Sequence, residues 1–379
     1  MKKAVIIPDS FKGTVPSEKI CEIISEKIHK FFPSCKTVSI PVADGGEGSV
    51  DCFLNAVGGK KKHVEVTGPF FEKVNAFYGI LNDNKTAVIE MAACAGLPLA
   101  EGRLDPEKAT TFGVGELILD AAESGCKKII MCLGGSCTND LGCGMAAAAG
   151  IKFYDKNGGS FIPSGGTLSD IAGIDFNNKS TLLSGIEFVT MCDIDNPLYG
   201  ETGAAYVFAP QKGADSTSVK KLDKGLKDAA AVINGAIGKE IDFIPGAGAA
   251  GGMGAGMVAF FGSKLQMGID TVLDTVGFSD IISDADYIFT GEGRMDSQSL
   301  RGKVVIGVSK AAKKQNVPVI VIAGDYDKKL QGAYDNGVSA VFSTNRVAKP
   351  FEEIKKESAE NLALTAENII RLINTVYKN

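Results

Sequence analysis

Histidine is nearly missing from this 379-residue chain, which has two, and tryptophan is missing altogether. His29 sits among lysines in a helical-looking stretch, and His63 follows Lys60-Lys61-Lys62. Neither has the HxxxH or HExxH spacing that turns two imidazoles onto one metal ion, so a multi-histidine metal site is excluded. Ser–His–Asp and Cys–His chemistry is disfavoured for want of a placed imidazole. The nine cysteines are an odd number, scattered and without a CxxC pair, which reads as a reduced, cytoplasmic chain with buried thiols. A secretory leader is not expected either, because the apolar run near the start spans only four residues before Pro8 and Asp9. Charge of one sign does not dominate: 40 Lys and Arg against 45 Asp and Glu leave a net charge of −5. That balance argues against nucleic acid or an anionic membrane as a partner. Residues 243–263 carry no charge for 21 residues, enough to cross a bilayer, but seven glycines and a proline make them a poor membrane segment.

Glycine is what the chain has in quantity, with 46. Apolar residues at 45% and charged residues at 22% are ordinary for a globular protein, and the length suits about two domains. The first 60 residues read as a strand at 4–8, a helix opened by Thr14 or Ser17 and stopped by Pro33, a strand at 37–42, and a helix entered at Gly45-Gly46. The last hundred repeat the rhythm, with strands at 286–290, 317–322 and 338–343 and helices near 301–315, 327–335 and 351–376. Alternation of this kind predicts a parallel sheet wrapped by helices. The stretch 64–90 alternates like antiparallel strands, followed by helices near 113–124 and 141–149 and strands at 128–133 and 187–191. The fold class expected is α/β: a parallel, Rossmann- or flavodoxin-like domain from residues 1–62 plus 279–379, with a second α/β domain, 63–278, inserted in it.

Polar clusters follow several of these strands, where ligands bind in open parallel sheets. They are Asp9-Ser10-Phe11-Lys12-Gly13, Asp44-Gly45-Gly46-Glu47-Gly48, Thr290 to Asp296, and Ala323-Gly324-Asp325. A parallel sheet would put all four on one edge. In the inserted part, Gly134 to Asp140 precedes a small-residue helix whose free N–H groups would attract anions. Asp193-Ile194-Asp195-Asn196-Pro197 offers two carboxylates for a metal or a substrate hydroxyl, or else a simple Asx-type turn. The run from Gly246 to Gly256 contains a literal GxGxxG at Gly246, Gly248 and Gly251, with Asp270 at the distance of a ribose-binding acid. A strand–turn–helix–strand setting for it is not evident. No GxxxxGK[ST] phosphate loop is present, and Ala249 stands where a ribokinase-type GAGD motif has its aspartate.

Taken in order along the chain, these segments resemble type I glycerate kinases. The resemblance runs nearly end to end: PDSFKG (8–13), PVADGGEG (41–48), GPF (68–70), AVIEMAACAGL (87–97), TTFGVGELI (110–118), GGSCTND (134–140), DIDNPLYG (193–200), GAAYVFAPQKGA (203–214), PGAGAAGGMGAG (245–256), TGEGRMDSQS (290–299) and GK (302–303). Three positions depart from the family pattern: Cys137 for alanine, Leu141 for glycine and Ser299 for threonine. The resemblance implies two α/β domains with a cleft between them, ATP with Mg2+ as cofactors, small-molecule substrates, and transfer of phosphate to D-glycerate, with 2-phosphoglycerate as product.

Such a reaction needs neutralised charge, hard oxygen ligands and a proton acceptor. Lys12, Arg294 and Lys303 are candidates for substrate and phosphate charge. Asp44, Glu47, Asp193 and Glu292 are candidates for magnesium or substrate, and with histidine excluded the base falls to Asp193 or Asp296. The segment with Gly246, Gly248, Gly251 and Gly252, together with Ser136 and Thr138, is the candidate cradle for ATP phosphates. Ser10, Asn139 and Asn196 complete the binding set. Two competing readings are a nicotinamide-dependent hydroxy-acid dehydrogenase, built on the GxGxxG glycines, and a carboxylate-binding protein without turnover.

Overall fold

The computed structural model describes residues 1–377 except 44, 297, 298, 328, 329 and 348, and Arg301 by its backbone only. In chain order its two main sheets use β1 (Lys3–Ile6), β2 (Lys36–Ser39), β3 (Gly59–Thr67), β4 (Lys73–Leu81), β5 (Thr86–Glu90), β6 (Lys128–Cys132), β7 (Glu187–Met191), β8 (Lys264–Gln266), β9 (Tyr287–Thr290), β10 (Val319–Ala323) and β11 (Val338–Ser343). The chain divides into two compact units. The first is Met1–Asp44, Asn55–Val57 and Met267–Asn379; the second is Gly45–Leu54 and Gly58–Gln266.

In the first unit the sheet order is β11-β10-β9-β1-β2 and every pairing is parallel. The sequence accounts for this: Lys3–Ile6 and Val319–Ala323 are buried along their whole length, the pattern of strands covered on both faces. The helix Ser17–Phe31 turns Ile20, Ile24 and Ile28 inward at helical spacing, against Leu362, Ile369 and Ile370 of the helix Ser358–Tyr377. Because β2 lies on one side of β1 and β9 on the other, the direction of winding reverses between β1 and β9. In open parallel sheets that reversal opens a crevice at the carboxyl ends of the strands.

In the second unit the order is β8-β7-β6-β5-β4-β3. β4 runs antiparallel to both β3 and β5, and β5 to β8 run parallel. A small antiparallel sheet of residues 152–154, 160–161 and 173–175 accompanies it. The unit borders differ from those expected at 62/63 and 278/279. Gly59 to Thr67 pair without a break to β4, so residues 59–62 go with the second unit. The helix Gly268–Val276 goes with the first, because Ile269 packs so close to Gly307 that a Cβ there would lie 2.7 Å from it. Among the described residues no helix is long and apolar enough to cross a membrane.

Candidate active site

Three of the four expected loops share one edge of the first unit. Asp9 N–H donates to Gly291 O at 2.9 Å, and Thr290 Oγ1 donates to Ile7 O at 2.7 Å. Gly324 and Asp325 N–H donate to the carbonyls of Glu292 and Gly293, both at 3.2 Å. Gly324 allows a close approach between two of these loops, since a Cβ there would run into Gly293 O, and Gly293 in turn lies in contact with Phe11 and Lys12. Of the fourth loop, Asp44 lies outside the described residues, and Gly45 to Gly48 fall in the second unit.

Glu292 is buried in this crevice with its Oε1 unpartnered. Burial pushes its carboxyl up to about 7; the Ser299 hydroxyl and the Lys303 ammonium pull it down, while Asp9 and Asp296 push it up. Asp296 is held by Ser299: its N–H donates to Ser299 Oγ at 3.1 Å, and its Oδ1 accepts from Ser299 N–H at 3.4 Å. Ser10 N–H donates to Asp9 Oδ1 at 2.7 Å. Lys12 is exposed at the rim. Arg294 points away to an exposed ion pair with Asp327 at 3.1 Å. The structure therefore gathers Ser10, Glu292, Asp296 and Lys303 and leaves Arg294 engaged elsewhere.

The second unit builds its own polar cluster on the loop after β6. Gly134 N–H donates to Gly45 O at 2.8 Å, and Leu97 N–H donates to Gly135 O at 2.8 Å. The Asp140 carboxylate is fully buried and accepts four bonds: from Thr111 N–H and Oγ1, each at 2.8 Å, from Gly142 N–H at 3.1 Å and from Gly144 N–H at 3.3 Å. Burial still holds its carboxyl above the ordinary range. Lys212 is 1% exposed, and its ammonium donates to Ser136 Oγ at 2.8 Å and Thr138 O at 2.7 Å. Burial depresses that ammonium to about 8, partly offset by Cys137 and Asp140. Thr138 Oγ1 and both amide atoms of Asn139 are buried without a partner.

Sequence reasoning quoted Lys212 within a motif but gave it no role. The available signal was slight: it is the single charged residue between Gly203 and Ala214. Glu90 is a second omission. It accepts from Val50 N–H at 2.6 Å and Gly48 N–H at 3.3 Å, so a strand carboxylate caps the helix Ser49–Val57. Of the other expected residues, Glu47 is exposed and Asp193 half-buried after β7. Asn196 Nδ2 donates to Thr202 O at 2.8 Å, so its amide closes a turn. Asp193 and Asp296, the two carboxylates considered as base, belong to different units.

The glycine run is packed against the chain itself. A Cβ at Gly246 would lie 2.6 Å from Cys192 Sγ, and one at Gly252 would lie 2.9 Å from Leu198 Cδ1. A Cβ at Gly248 would run into Pro197 O, and one at Gly251 into Thr138 O. The close approach that these glycines permit is thus to neighbouring backbone and core, and it braces the loop that carries Thr138 and Asn139. The nicotinamide reading fails here, because no strand leads into residues 246–251 and Asp270 lies in a helix of the other unit.

The sequence model of the family described as the glycerate kinase family matches residues 4–374. A glycerate kinase of Bacillus cereus (strain ATCC 10987) is 44% identical over 368 residues, covering 97% of each chain. A glycerate 2-kinase of Escherichia coli K12 is 43% identical over 369 residues, again covering 97% of each. A crystal structure from Salmonella typhimurium LT2, provisionally named as glycerate kinase 2, superposes with a TM-score of 0.88 at 40% identity over 100% of both chains.

Proposed function

The chain belongs to the glycerate kinase family, and from that premise we propose that it transfers the terminal phosphoryl group of ATP to D-glycerate with 2-phosphoglycerate as product. It is a kinase and it phosphorylates glycerate; the match over residues 4–374 is the observation that carries this. The position of transfer is supported by the relative named as a glycerate 2-kinase.

Catalysis of phosphoryl transfer rests on positioning and on neutralising charge that spreads over the moving group. We assign the first-unit crevice a direct part in both. Lys12 and Lys303 supply cationic charge toward phosphate or carboxylate, with Arg294 a third cation once it leaves Asp327. Asp296 is the better supported proton acceptor, since Ser299 holds it in the loop that also carries Glu292. Asp193 remains the alternative in the second unit. The glycines 246–252 stay proposed for ATP, alongside Glu47 and Asn196, and Ser136 and Thr138 stay proposed for substrate binding.

A bound magnesium ion would supply positive charge to offset that of the phosphates. Glu292 fits it, as a hard oxygen ligand whose Oε1 is buried and unpartnered. Among the described residues no group of three or more His, Cys, Asp or Glu is placed to hold a metal ion. Asp193 and Asp44 are the further carboxylates proposed to hold magnesium. A cytoplasmic setting is supported by nine cysteines that are all free and buried.

Coupled detection of ADP release with D-glycerate, ATP and magnesium tests the activity. No ADP above background from folded protein would overturn it. Phosphorus NMR of the product tests the position, and a 3-phosphoglycerate spectrum would overturn the 2-position.

A further inference from the structure

The loop after β6 leaves three polar atoms in consecutive residues without a partner, Thr138 Oγ1, Asn139 Nδ2 and Asn139 Oδ1, although both side chains are fully buried. Native interiors hold few such atoms, and a run of them calls for a missing partner. Next to them is a buried cation. Lys212 has three protons to donate and spends two, on Ser136 Oγ and Thr138 O. Both acceptors are neutral, and among the described residues no carboxylate lies in hydrogen-bonding reach of the ammonium. Asp140, which follows Asn139 in the chain, already takes four donors from Thr111, Gly142 and Gly144 and holds the loop without help from Lys212. The loop also reaches solvent, because Gly134 is half-buried and Gly135 exposed.

The unused capacity is mixed in kind: an ammonium proton and two amide protons to give, one amide oxygen that can only accept, and a hydroxyl that can do either. A phosphate group of ATP offers acceptors alone and would leave Asn139 Oδ1 unpaired. Glycerate offers a carboxylate to accept and hydroxyls to donate, so it satisfies every atom in the set. Resting on the glycerate kinase reading, we propose that Lys212, Asn139 and Thr138 form the subsite that receives glycerate: its carboxylate on Lys212 and Asn139 Nδ2, and a hydroxyl on Asn139 Oδ1. This moves the Ser136–Thr138 segment from the phosphates of ATP to the acceptor substrate.

Isothermal titration with D-glycerate alone and with ATP alone, on the wild type and on Lys212→Met, Asn139→Ala and Thr138→Val, tests the assignment, with thermal melts run in parallel. The expected result is at least tenfold weaker glycerate binding in the Lys212 and Asn139 variants, threefold or more in Thr138→Val, and ATP affinity within threefold throughout. Thr138→Val separates function from structure: the hydroxyl bonds nothing in the folded chain, so its removal should keep or raise the melting temperature while weakening glycerate. It decides the matter with Asn139→Ala should Lys212→Met fail to fold. Unchanged glycerate affinity with weakened ATP would assign the subsite to phosphate and overturn the proposal; unchanged affinity for both would mean that internal water satisfies these atoms, and would overturn it equally. If the wild type itself neither binds nor turns over glycerate, the kinase reading is what has failed.

Discussion

The buried ammonium of Lys212 should make stability rise with pH in a range where most proteins lose it. Its pKa falls from 10.5 to about 8 because burial disfavours the charged form. Below pH 8 the folded and unfolded chains both hold the proton, and the full cost of keeping it buried is present. Between 8 and 10.5 the folded chain has released the proton while the unfolded chain still binds it, so unfolding takes up protons and stability climbs. Above 10.5 both are neutral and the cost is gone. A displacement of roughly two and a half pH units, at about 1.4 kcal/mol each, amounts to about 3 kcal/mol. Lys212→Met removes this contribution but leaves Ser136 Oγ and Thr138 O without their donor, at roughly 1–3 kcal/mol apiece. The difference between the two proteins at a single pH is therefore uninformative, and its slope is what matters. Urea denaturation of both, from pH 7.5 to 10.5, with the transitions of the two units fitted separately, should show the wild type gaining about 3 kcal/mol on the variant. A difference that stays flat across the window would refute the claim that the folded chain buries a charged lysine.

Other outcomes follow from the same geometry. Gly251→Ala places a Cβ on a backbone of φ +71° and against Thr138 O; left-handed strain and overpacking together should cost about 2–5 kcal/mol, read as a lower melting temperature, and an unchanged melt would mean the glycine run is not close-packed. Glu90→Leu strands the N–H groups of Gly48 and Val50 and should cost about 2–4 kcal/mol, with faster hydrogen exchange at Val50 as the local sign; protection at the wild-type level would show that the carboxylate does not cap that helix. Asp296→Asn should lower kcat by about 10²–10⁴ with little change in KM if it accepts the proton, whereas normal turnover in both this variant and Asp193→Asn would discard a carboxylate base. Lys12→Ala should raise KM for glycerate or ATP, and unchanged values for both would make Lys12 structural.

The strands were legible because their chemistry is local. Lys3–Ile6 and Val319–Ala323 are short apolar runs between turn residues, and a strand covered on both faces looks like that wherever it occurs. The loops at the reversal between β1 and β9 were legible for the same reason: Asp9 and Glu292 directly follow such runs. Lys212 was not, because nothing in a lysine's neighbours along the chain says that it will be buried. Its partners Ser136 and Thr138 lie more than 70 residues away. The glycine run showed that something approaches closely, but only the fold shows that it is Pro197, Thr138 and Leu198. Leu141 is a subtler case. The family pattern has glycine there, and the structure explains why, since this leucine sits at φ 56°. Its side chain is fully buried in the core, and that burial offsets about 1–2 kcal/mol of left-handed strain.

The placement of β1 bears on how the chain is made. Ala4 pairs with Tyr287, so an interior strand of a five-stranded sheet waits for one of its two neighbours until nearly three hundred residues downstream. At roughly 5–20 residues per second a ribosome spends about 15–60 s on that interval. Residues 45–266 emerge, and can complete the second unit, while the apolar segment Lys3–Ile6 has only β2 to pair with. A strand synthesised early is thus finished late. A chaperone that shields nascent apolar segments should matter more to the yield of this protein than to that of a chain whose sheets assemble in the order of translation.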